Sequence, residues 1–584
     1  MVTVKINEKE LQVLEGTTIL EACKQANYHV PSLCYMKDLN EIGACRVCCV
    51  EVVGVDRLVT SCNNIVKDGM EILTNSNKVR TARKVNIELL LSQHNCNCPT
   101  CTRNKNCTLQ NIAHDLGITE ERYQKEVVFA PWSSKFPLIR DASKCIKCMR
   151  CVQVCDKVQD IHIWDIAKTG SRTTVDVSYN RKIKDSECVL CGQCITHCPV
   201  GALYARVDKE KVFGFDSPMK KEGKVSVVQV APSVRTSWGE AFGISREVAT
   251  PKRLAAALRR MGFDYVFDTN YGADLTIMEE GSEFLKRLEQ GENGKYPMFT
   301  SCCPGWVRFL KSQYPDMVDS LSTAKSPQQM QGAMIKTYFA SKMGIDPENI
   351  FSVSIMPCVA KKAECDIETI NDSGAGKDVD VVLTTRELVS QIRALGIDIA
   401  SLPEEEFDSP LGEGTGAAVI FGTTGGVMEA ALRSCYYLVT GENAEIDAFA
   451  NVRGMDGWKE ATFDIAGVTV KTAVASGLRN ARKLIEAVRN GEVQYDFVEI
   501  MACPGGCVGG GGQIIHDGQE LAKERGTYLY ELDKKAKLRL SHENQEVAKT
   551  YEEYLGKPLS HLAHELLHTD HSSWELPKAL RGRK

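Results

Sequence analysis

The apolar positions change rhythm several times along the chain. Val2, Val4 and Ile6, then Leu11 and Val13, alternate with polar residues on either side of Asn7-Glu8-Lys9. A period of two about a turn-forming centre predicts a hairpin. Thr18-Ile-Leu-Glu21 has the spacing of a capping box and predicts a helix reaching about Tyr28. Strand, strand, helix and a cysteine-rich loop suit a small β-grasp module. The charged, periodic stretch from Asn77 to Gln93 predicts another helix. From about Lys224 the texture becomes alternating strand and helix. VSVVQV at 225–230 reads as a buried strand, PKRLAAALRRMG as a helix and FDYVFD as the next strand. Further strand candidates are MFT before Cys302, IFSVSIM before Cys358, AAVIFG at 417–422 and DFVEIM before Cys503. This alternation predicts an α/β domain, in which sites form beyond the carboxyl ends of strands. The segment carrying His561, His564, His568 and His571 reads as an ordinary terminal helix and tail, with metal binding by its histidines the weaker alternative, since their spacing fits an exposed face equally well.

Composition narrows the chemistry. The 584 residues include 71 Lys+Arg against 76 Asp+Glu, a formal charge of −5, which argues against a nucleic-acid platform. The first residues lack the basic and apolar regions of a secretory leader. No run of about 18 apolar residues offers a membrane span. A cytoplasmic location is the expectation. Cysteine is the anomaly: there are 25, none of them between Cys198 and Cys302. In a reducing compartment so many thiols point to metal or catalysis more than to cross-links.

The strongest pattern is Cys145-x2-Cys148-x2-Cys151-x3-Cys155, repeated as Cys188-x2-Cys191-x2-Cys194-x3-Cys198-Pro199. In a two-cluster ferredoxin run, three close thiolates grip one [4Fe–4S] cube and the fourth reaches the other. The expected sets are Cys145, Cys148, Cys151 and Cys198, and Cys188, Cys191, Cys194 and Cys155. Asp156 stands where proline usually follows. Zinc, which prefers separated ligand pairs, is the weaker reading. Cys34-x10-Cys45-x2-Cys48-x13-Cys62 suits a [2Fe–2S] cluster, with structural zinc as the alternative. The adjoining Cys49 points to the other side of an extended chain. For His94-x3-Cys98-x2-Cys101-x5-Cys107, spacing alone leaves zinc and iron even, with Cys96 an ambiguous neighbour. The last set comprises Thr300-Ser-Cys302-Cys303-Pro304-Gly-Trp306, Met356-Pro-Cys358-Val-Ala-Lys361-Lys-Ala-Glu364, and Glu499-Ile-Met501-Ala-Cys503-Pro-Gly-Gly-Cys507 with a following glycine run. Four of its five cysteines can hold a cube. An extra thiol beside a metal can shuttle protons. The glycines let backbone approach a ligand closely.

These last three segments together resemble the signature motifs of the [FeFe]-hydrogenases, and the N-terminal cysteine sets match the large, multi-cluster members. The resemblance implies a multidomain α+β and α/β chain. Its parts are a β-grasp [2Fe–2S] domain (1–78), a histidine-and-cysteine [4Fe–4S] domain (79–130), a two-[4Fe–4S] ferredoxin-like domain (131–210) and a two-lobed α/β catalytic domain with a C-terminal tail (211–584). It implies reversible interconversion of H2 with protons and electrons at an H-cluster, a [4Fe–4S] cube bridged to a diiron subsite carrying CO, cyanide and a dithiolate amine. Cys303, Cys358, Cys503 and Cys507 are its implied ligands, with Cys507 bridging. Cys302 is the implied proton donor, with a relay through Glu280, Ser322 and Glu283 to Arg287. Without the resemblance, Glu280 and Glu283 read as a solvated helix face. Lys361 is implied to hydrogen-bond a cyanide, Met356 and Met501 to pack on the diiron unit, and Pro232, Ser233 and Gln328 to line its pocket. The resemblance assigns a [4Fe–4S] cluster to His94, Cys98, Cys101 and Cys107, making three accessory cubes beside one [2Fe–2S] cluster. Cys23, Cys49, Cys96, Cys365 and Cys435 then have no assigned role. Ferredoxin and flavin/NAD(P)-binding subunits are the implied electron partners, and maturation proteins supply the diiron unit. A hydrogen sensor on the same fold and an electron-transfer or cluster-assembly protein are the rival readings. The retained Cys302 and the relay residues favour the enzyme.

Overall fold

The computed structural model describes residues 1–291, 296–454 and 457–577. The chain divides into two compact units, one formed by residues 1–183 with 193–204 and the other by 184–192 with the chain from 205 onward.

The first unit begins with the expected hairpin. Strand β1 (Val2–Ile6) runs antiparallel to β2 (Lys9–Val13), and Asn7 makes the turn at φ 53°. With β3 (Cys49–Val52), β4 (Val59–Thr60) and β5 (Met70–Leu73) they form one sheet in the order β2-β1-β5-β3-β4. Val4, Ile6 and Ile72 from this sheet pack with Ile19 and Ala22 of the helix Ile19–Gln25. Thr18 caps that helix by accepting from the Glu21 amide at 3.2 Å. The Glu21 carboxylate takes the Tyr35 hydroxyl at 2.9 Å instead of closing the box. The helix Asn77–Ser92 follows, burying Val79, Arg83 and Ile87. Two short ribbons complete the unit: β6 (Leu138–Arg140) with β9 (Leu203–Ala205), and β7 (Trp164–Ala167) with β8 (Thr174–Val177).

The second unit contains two four-stranded sheets. In the first, β11 (Tyr265–Asp268), β10 (Val225–Val230), β13 (Ile350–Met356) and β14 (Val381–Thr384) are parallel in that order. All seven residues of β13 are buried, as an apolar run flanked on both faces requires. The second sheet has the order β12 (Met298–Phe299), β17 (Phe497–Met501), β16 (Val468–Ser476) and β15 (Trp458–Ile465), with only the β15–β16 pair antiparallel.

Two sequence expectations change. AAVIFG is not a strand: the helix Gly416–Ile420 occupies it, capped by Thr415, whose hydroxyl accepts from the Ala418 amide at 3.3 Å. A short apolar run does not distinguish a strand from a buried helix, and the capping Thr415 decides it. The C-terminal helix His561–Leu567 is followed by His568, which is buried rather than on an exposed face. Its Nδ1 pairs with the Thr323 hydroxyl at 2.7 Å and its Nε2 with Glu279 at 3.0 Å.

Candidate functional site

Strands β12, β13 and β17 end beside one another in space, and each is followed by cysteine. Cys302 and Cys303 follow β12, Cys358 follows β13, and Cys503 and Cys507 follow β17. These five residues line one cavity. Pro232, Ser233, Gln328, Met356, Lys361 and Met501 share its wall. Sequence distance is no guide to this convergence, because two of the strands belong to one sheet and the third to the other.

The wall is held by buried hydrogen bonds. Lys361 Nζ donates to Glu364 at 2.8 Å and lies 3.4 Å from the Cys302 carbonyl. The same Glu364 oxygen accepts from Gln328 at 3.1 Å and from Ser326 at 3.0 Å. Gln513, given no role by the sequence reading, accepts from Ser237 at 2.7 Å and Thr385 at 2.9 Å and donates to the Ser233 carbonyl at 2.9 Å. The glycine run serves close backbone packing: a Cβ on Gly510 falls 2.3 Å from the Pro357 carbonyl oxygen, and one on Gly506, at φ 93°, falls 2.7 Å from Thr423 backbone. Four converging thiols, a buried ammonium and two thioethers fit an iron–sulfur group with anionic small ligands.

Behind Cys302 runs the helix Thr269–Gln290. Glu280, Glu283 and Arg287 are spaced to share one of its faces. That face is not solvated: Glu280 is 0 % exposed and Glu283 8 %. Glu280 accepts from the Ser301 amide at 3.3 Å, and Ser322 is among the groups that act on its carboxyl. The Ser322 hydroxyl donates to Glu283 at 2.8 Å, and Arg287 donates to Glu283 at 2.6 Å. Burial, followed by the Glu283 charge, pushes the Glu280 carboxyl up to about 8. Burial and the nearby Glu280 charge push the Cys302 thiol well above its usual value. A further carboxyl, Glu499 on β17, is 0 % exposed and accepts from the Gly425 and Met428 amides at 2.7 Å each. Burial pushes it up to about 7. Nothing in its sequence context separates it from an ordinary strand residue, because its donors lie more than 70 positions away.

The first unit gathers most of the other cysteines. Cys34, Cys45, Cys48 and Cys62 are all buried, and their thiols make mutual contacts: Cys34 with Cys45 and Cys62, and Cys48 with Cys62. Cys145, Cys148, Cys151 and Cys198 line one cavity. Cys155 and Cys194 lie in the same unit, whereas Cys188 and Cys191 belong to the second. The Ile163 amide donates to Cys155 Sγ at 3.3 Å, and the Cys188 carbonyl accepts from Arg308 at 3.2 Å. Asp156, in place of the usual proline, pairs with His162 at 2.9 Å. Buried His94 pairs through Nδ1 with the Lys144 carbonyl at 3.0 Å. A carbonyl only accepts, so this bond places the proton on Nδ1 and leaves Nε2 a free lone pair, as a ligating imidazole needs. Its neighbours Cys98 and Cys101 are half-buried and Cys107 is buried. Cys96 is engaged elsewhere, accepting from Lys125 at 3.1 Å. Cys23, Cys49, Cys365 and Cys435 are buried in the packing of their units.

Comparison with known proteins agrees with this geometry. Residues 224–511 match the iron only hydrogenase large subunit, C-terminal domain, and 519–574 match the iron hydrogenase small subunit. Residues 1–77 match a 2Fe-2S iron-sulfur cluster binding domain, 83–122 the NADH-ubiquinone oxidoreductase-G iron-sulfur binding region, and 144–202 a 4Fe-4S dicluster domain. The chain is 46% identical over 580 residues to the NADP-reducing hydrogenase subunit HndD of Solidesulfovibrio fructosivorans, covering 97% of this chain and 98% of that one. It is 40% identical over 578 residues to iron hydrogenase 1 of Clostridium pasteurianum, covering 97% and 99%. Among solved structures, the apo form of an [FeFe]-hydrogenase from Chlamydomonas reinhardtii matches with a TM-score of 0.55 at 46% identity, covering 62% of this chain and 96% of that one.

Proposed function

Because the chain belongs to the iron-only hydrogenase family, we propose a specific division of labour among its residues in the interconversion of H2 with protons and electrons. The observation that carries the proposal is the cavity at the ends of β12, β13 and β17, where five thiols meet a buried carboxyl relay. Cys303, Cys358, Cys503 and Cys507 would hold the H-cluster through its iron–sulfur cube. When bound, that group supplies the iron at which H2 is made or split. Lys361, held at the cavity wall by Glu364, would donate to a cyanide of that group. Met356 and Met501 exclude water from the same wall, and Pro232, Ser233 and Gln328 shape it.

Proton movement falls to the chain's own groups. The Cys302 thiol stays protonated at neutral pH because burial and Glu280 oppose its ionisation, so it reaches the reacting centre carrying a proton. Glu280, at about 8, exchanges protons at working pH with little driving force wasted. Ser322 passes a proton between Glu280 and Glu283 by rotating its hydroxyl, and Arg287 fixes Glu283 at the outer end.

Electrons enter by the first unit. The proposed carriers are a [2Fe–2S] cluster on Cys34, Cys45, Cys48 and Cys62, a [4Fe–4S] cluster on His94, Cys98, Cys101 and Cys107, and two cubes on the ferredoxin-like cysteines. The match of residues 83–122 and the relative named as an NADP-reducing subunit support a cytoplasmic, multisubunit enzyme with a flavin/NAD(P)-binding partner. Ferredoxin is the second acceptor in this reading. The test is H2 evolution from a reduced dye by the matured enzyme, with infrared bands of CO and cyanide recorded on the same sample. Bands together with turnover are the expected result. A loaded diiron unit without turnover overturns the assignment. A copurifying flavin subunit supports the multisubunit form, and full activity of a monomer with ferredoxin alone contradicts it.

A further inference from the structure

Two cysteine sites of the first unit, more than a hundred positions apart in sequence, are joined by one side chain. Asn40 lies in the loop between Cys34 and Cys45 and is 0 % exposed. Its Nδ2 donates to the Cys34 carbonyl at 2.7 Å and to the Cys148 carbonyl at 2.8 Å. Both amide hydrogens are therefore spent, one on each site. The clasp is reciprocal. Arg150, buried between Cys148 and Cys151, returns Nε to the same Cys34 carbonyl at 3.3 Å and Nη2 to the Tyr35 carbonyl at 3.0 Å. The [2Fe–2S] loop thus reaches into the cube loop with a carboxamide, and the cube loop reaches back with a guanidinium.

A buried asparagine is ordinarily accounted for by satisfying one loop's own backbone. Here the second acceptor belongs to a different metal site. We propose that Asn40 is a junction residue of the electron path: it holds the Cys34 and Cys148 loops at a fixed separation and sets the electrostatic surroundings of both clusters at once. The inference rests on the ligand assignment above. Hydrogen bonds around cluster ligands stabilise the more negative, reduced state. A donor that polarises a ligand's backbone carbonyl acts in the same direction, because it draws electron density from the ligand residue and so favours added negative charge nearby. Removing a donor shared by two ligand loops therefore lowers two potentials together. Ser61 gives the contrast within the same site. Its hydroxyl donates at 2.8 Å to the Cys48 carbonyl alone.

The test is a redox titration by electron paramagnetic resonance on the full-length, cluster-loaded chain, for which the diiron unit is unnecessary. In Asn40→Leu, the [2Fe–2S] midpoint and that of one [4Fe–4S] cluster both fall, while iron content is retained. Ser61→Ala lowers the [2Fe–2S] midpoint only. Asn40→Ser, which leaves room for water beside both carbonyls, gives the same paired shift at smaller size and covers the case in which the leucine variant loads poorly. A shift confined to the [2Fe–2S] signal in both Asn40 variants, or no shift in either, overturns the junction. Cys34→Ser separates this from the ligand assignment: if the [2Fe–2S] signal survives that change unaltered, the ligand set is wrong.

Discussion

The two units build their thiol sites by opposite means. In the first, ligand spacing is written into short segments, and a loop of a few residues delivers three thiols to one cavity, as with Cys145, Cys148 and Cys151. In the second, no segment suffices. Cys303, Cys358 and Cys503 meet only because strands of two different sheets end beside one cavity, although Cys358 and Cys503 stand 145 positions apart in the chain. The second design costs contact order but surrounds the site with a deep core on every side. That depth lets a carboxyl such as Glu280 hold its proton near neutral pH, which a surface loop cannot do. Electron relays need only closely spaced cofactors. Proton chemistry needs buried, titratable side chains at fixed distances.

The contrast breaks first at the buried carboxyl. Glu280→Gln keeps the shape and the Ser301 contact but removes the exchangeable charge. Dye-driven H2 evolution falls by about 10²-fold or more, while infrared bands and iron content stay as in the wild type. Unchanged turnover contradicts the relay. Ser322→Ala comes next, with a loss of about tenfold to a hundredfold, since a water can occupy the vacated hydroxyl position and carry part of the flux.

The depth of the second unit also has a pH signature. Glu280 and Glu499 are pushed up to about 8 and about 7 by burial, from an ordinary value near 4.5. Between those limits the folded state keeps protons that the unfolded chain has released. Stability from these groups is therefore greatest below about pH 4.5 and declines as pH rises towards 8. Thermal melts of the cluster-loaded protein from pH 5 to 8 are expected to show a shallower decline in Glu280→Gln than in the wild type. Equal slopes contradict the burial account. The smallest effect on catalysis belongs to the first unit. Cys34→Ser abolishes the [2Fe–2S] signal yet leaves dye-driven evolution nearly intact, because a small dye can reduce the remaining clusters directly. A large loss with the dye places an obligatory step in the first unit and dissolves the comparison.

The same contrast explains what could be read from sequence. The ferredoxin-like repeat, the opening hairpin and the strands before Cys302, Cys358 and Cys503 are local patterns, and each is legible in its own segment. The burial of Glu280 is not: MEEGSEFLKR looks like any charged helix, and only the Ser301 and Ser322 turns packed on it reveal an interior face. His568 escapes for the same reason, since its partner Glu279 lies 289 positions away. Gln513 and Asn40 carry no distinguishing neighbours, and their partners are likewise remote. The hairpin of β15 and β16 alternates plainly along β15 and lies outside the cysteine motifs. AAVIFG is not a strand: six apolar residues suit either element, and the capping Thr415 is the signal that distinguishes them.

The central claim is that the second unit moves protons through Cys302 into the buried carboxyl chain. Its most direct test compares wild type with Cys302→Ser, both matured and both carrying the infrared bands of CO and cyanide, in H2 evolution driven by a reduced dye. A serine hydroxyl is a far weaker acid than a thiol, so the variant is expected to lose H2 evolution by about 10²–10⁴-fold while its bands persist. Equal rates of H2 evolution from the two enzymes would contradict the account.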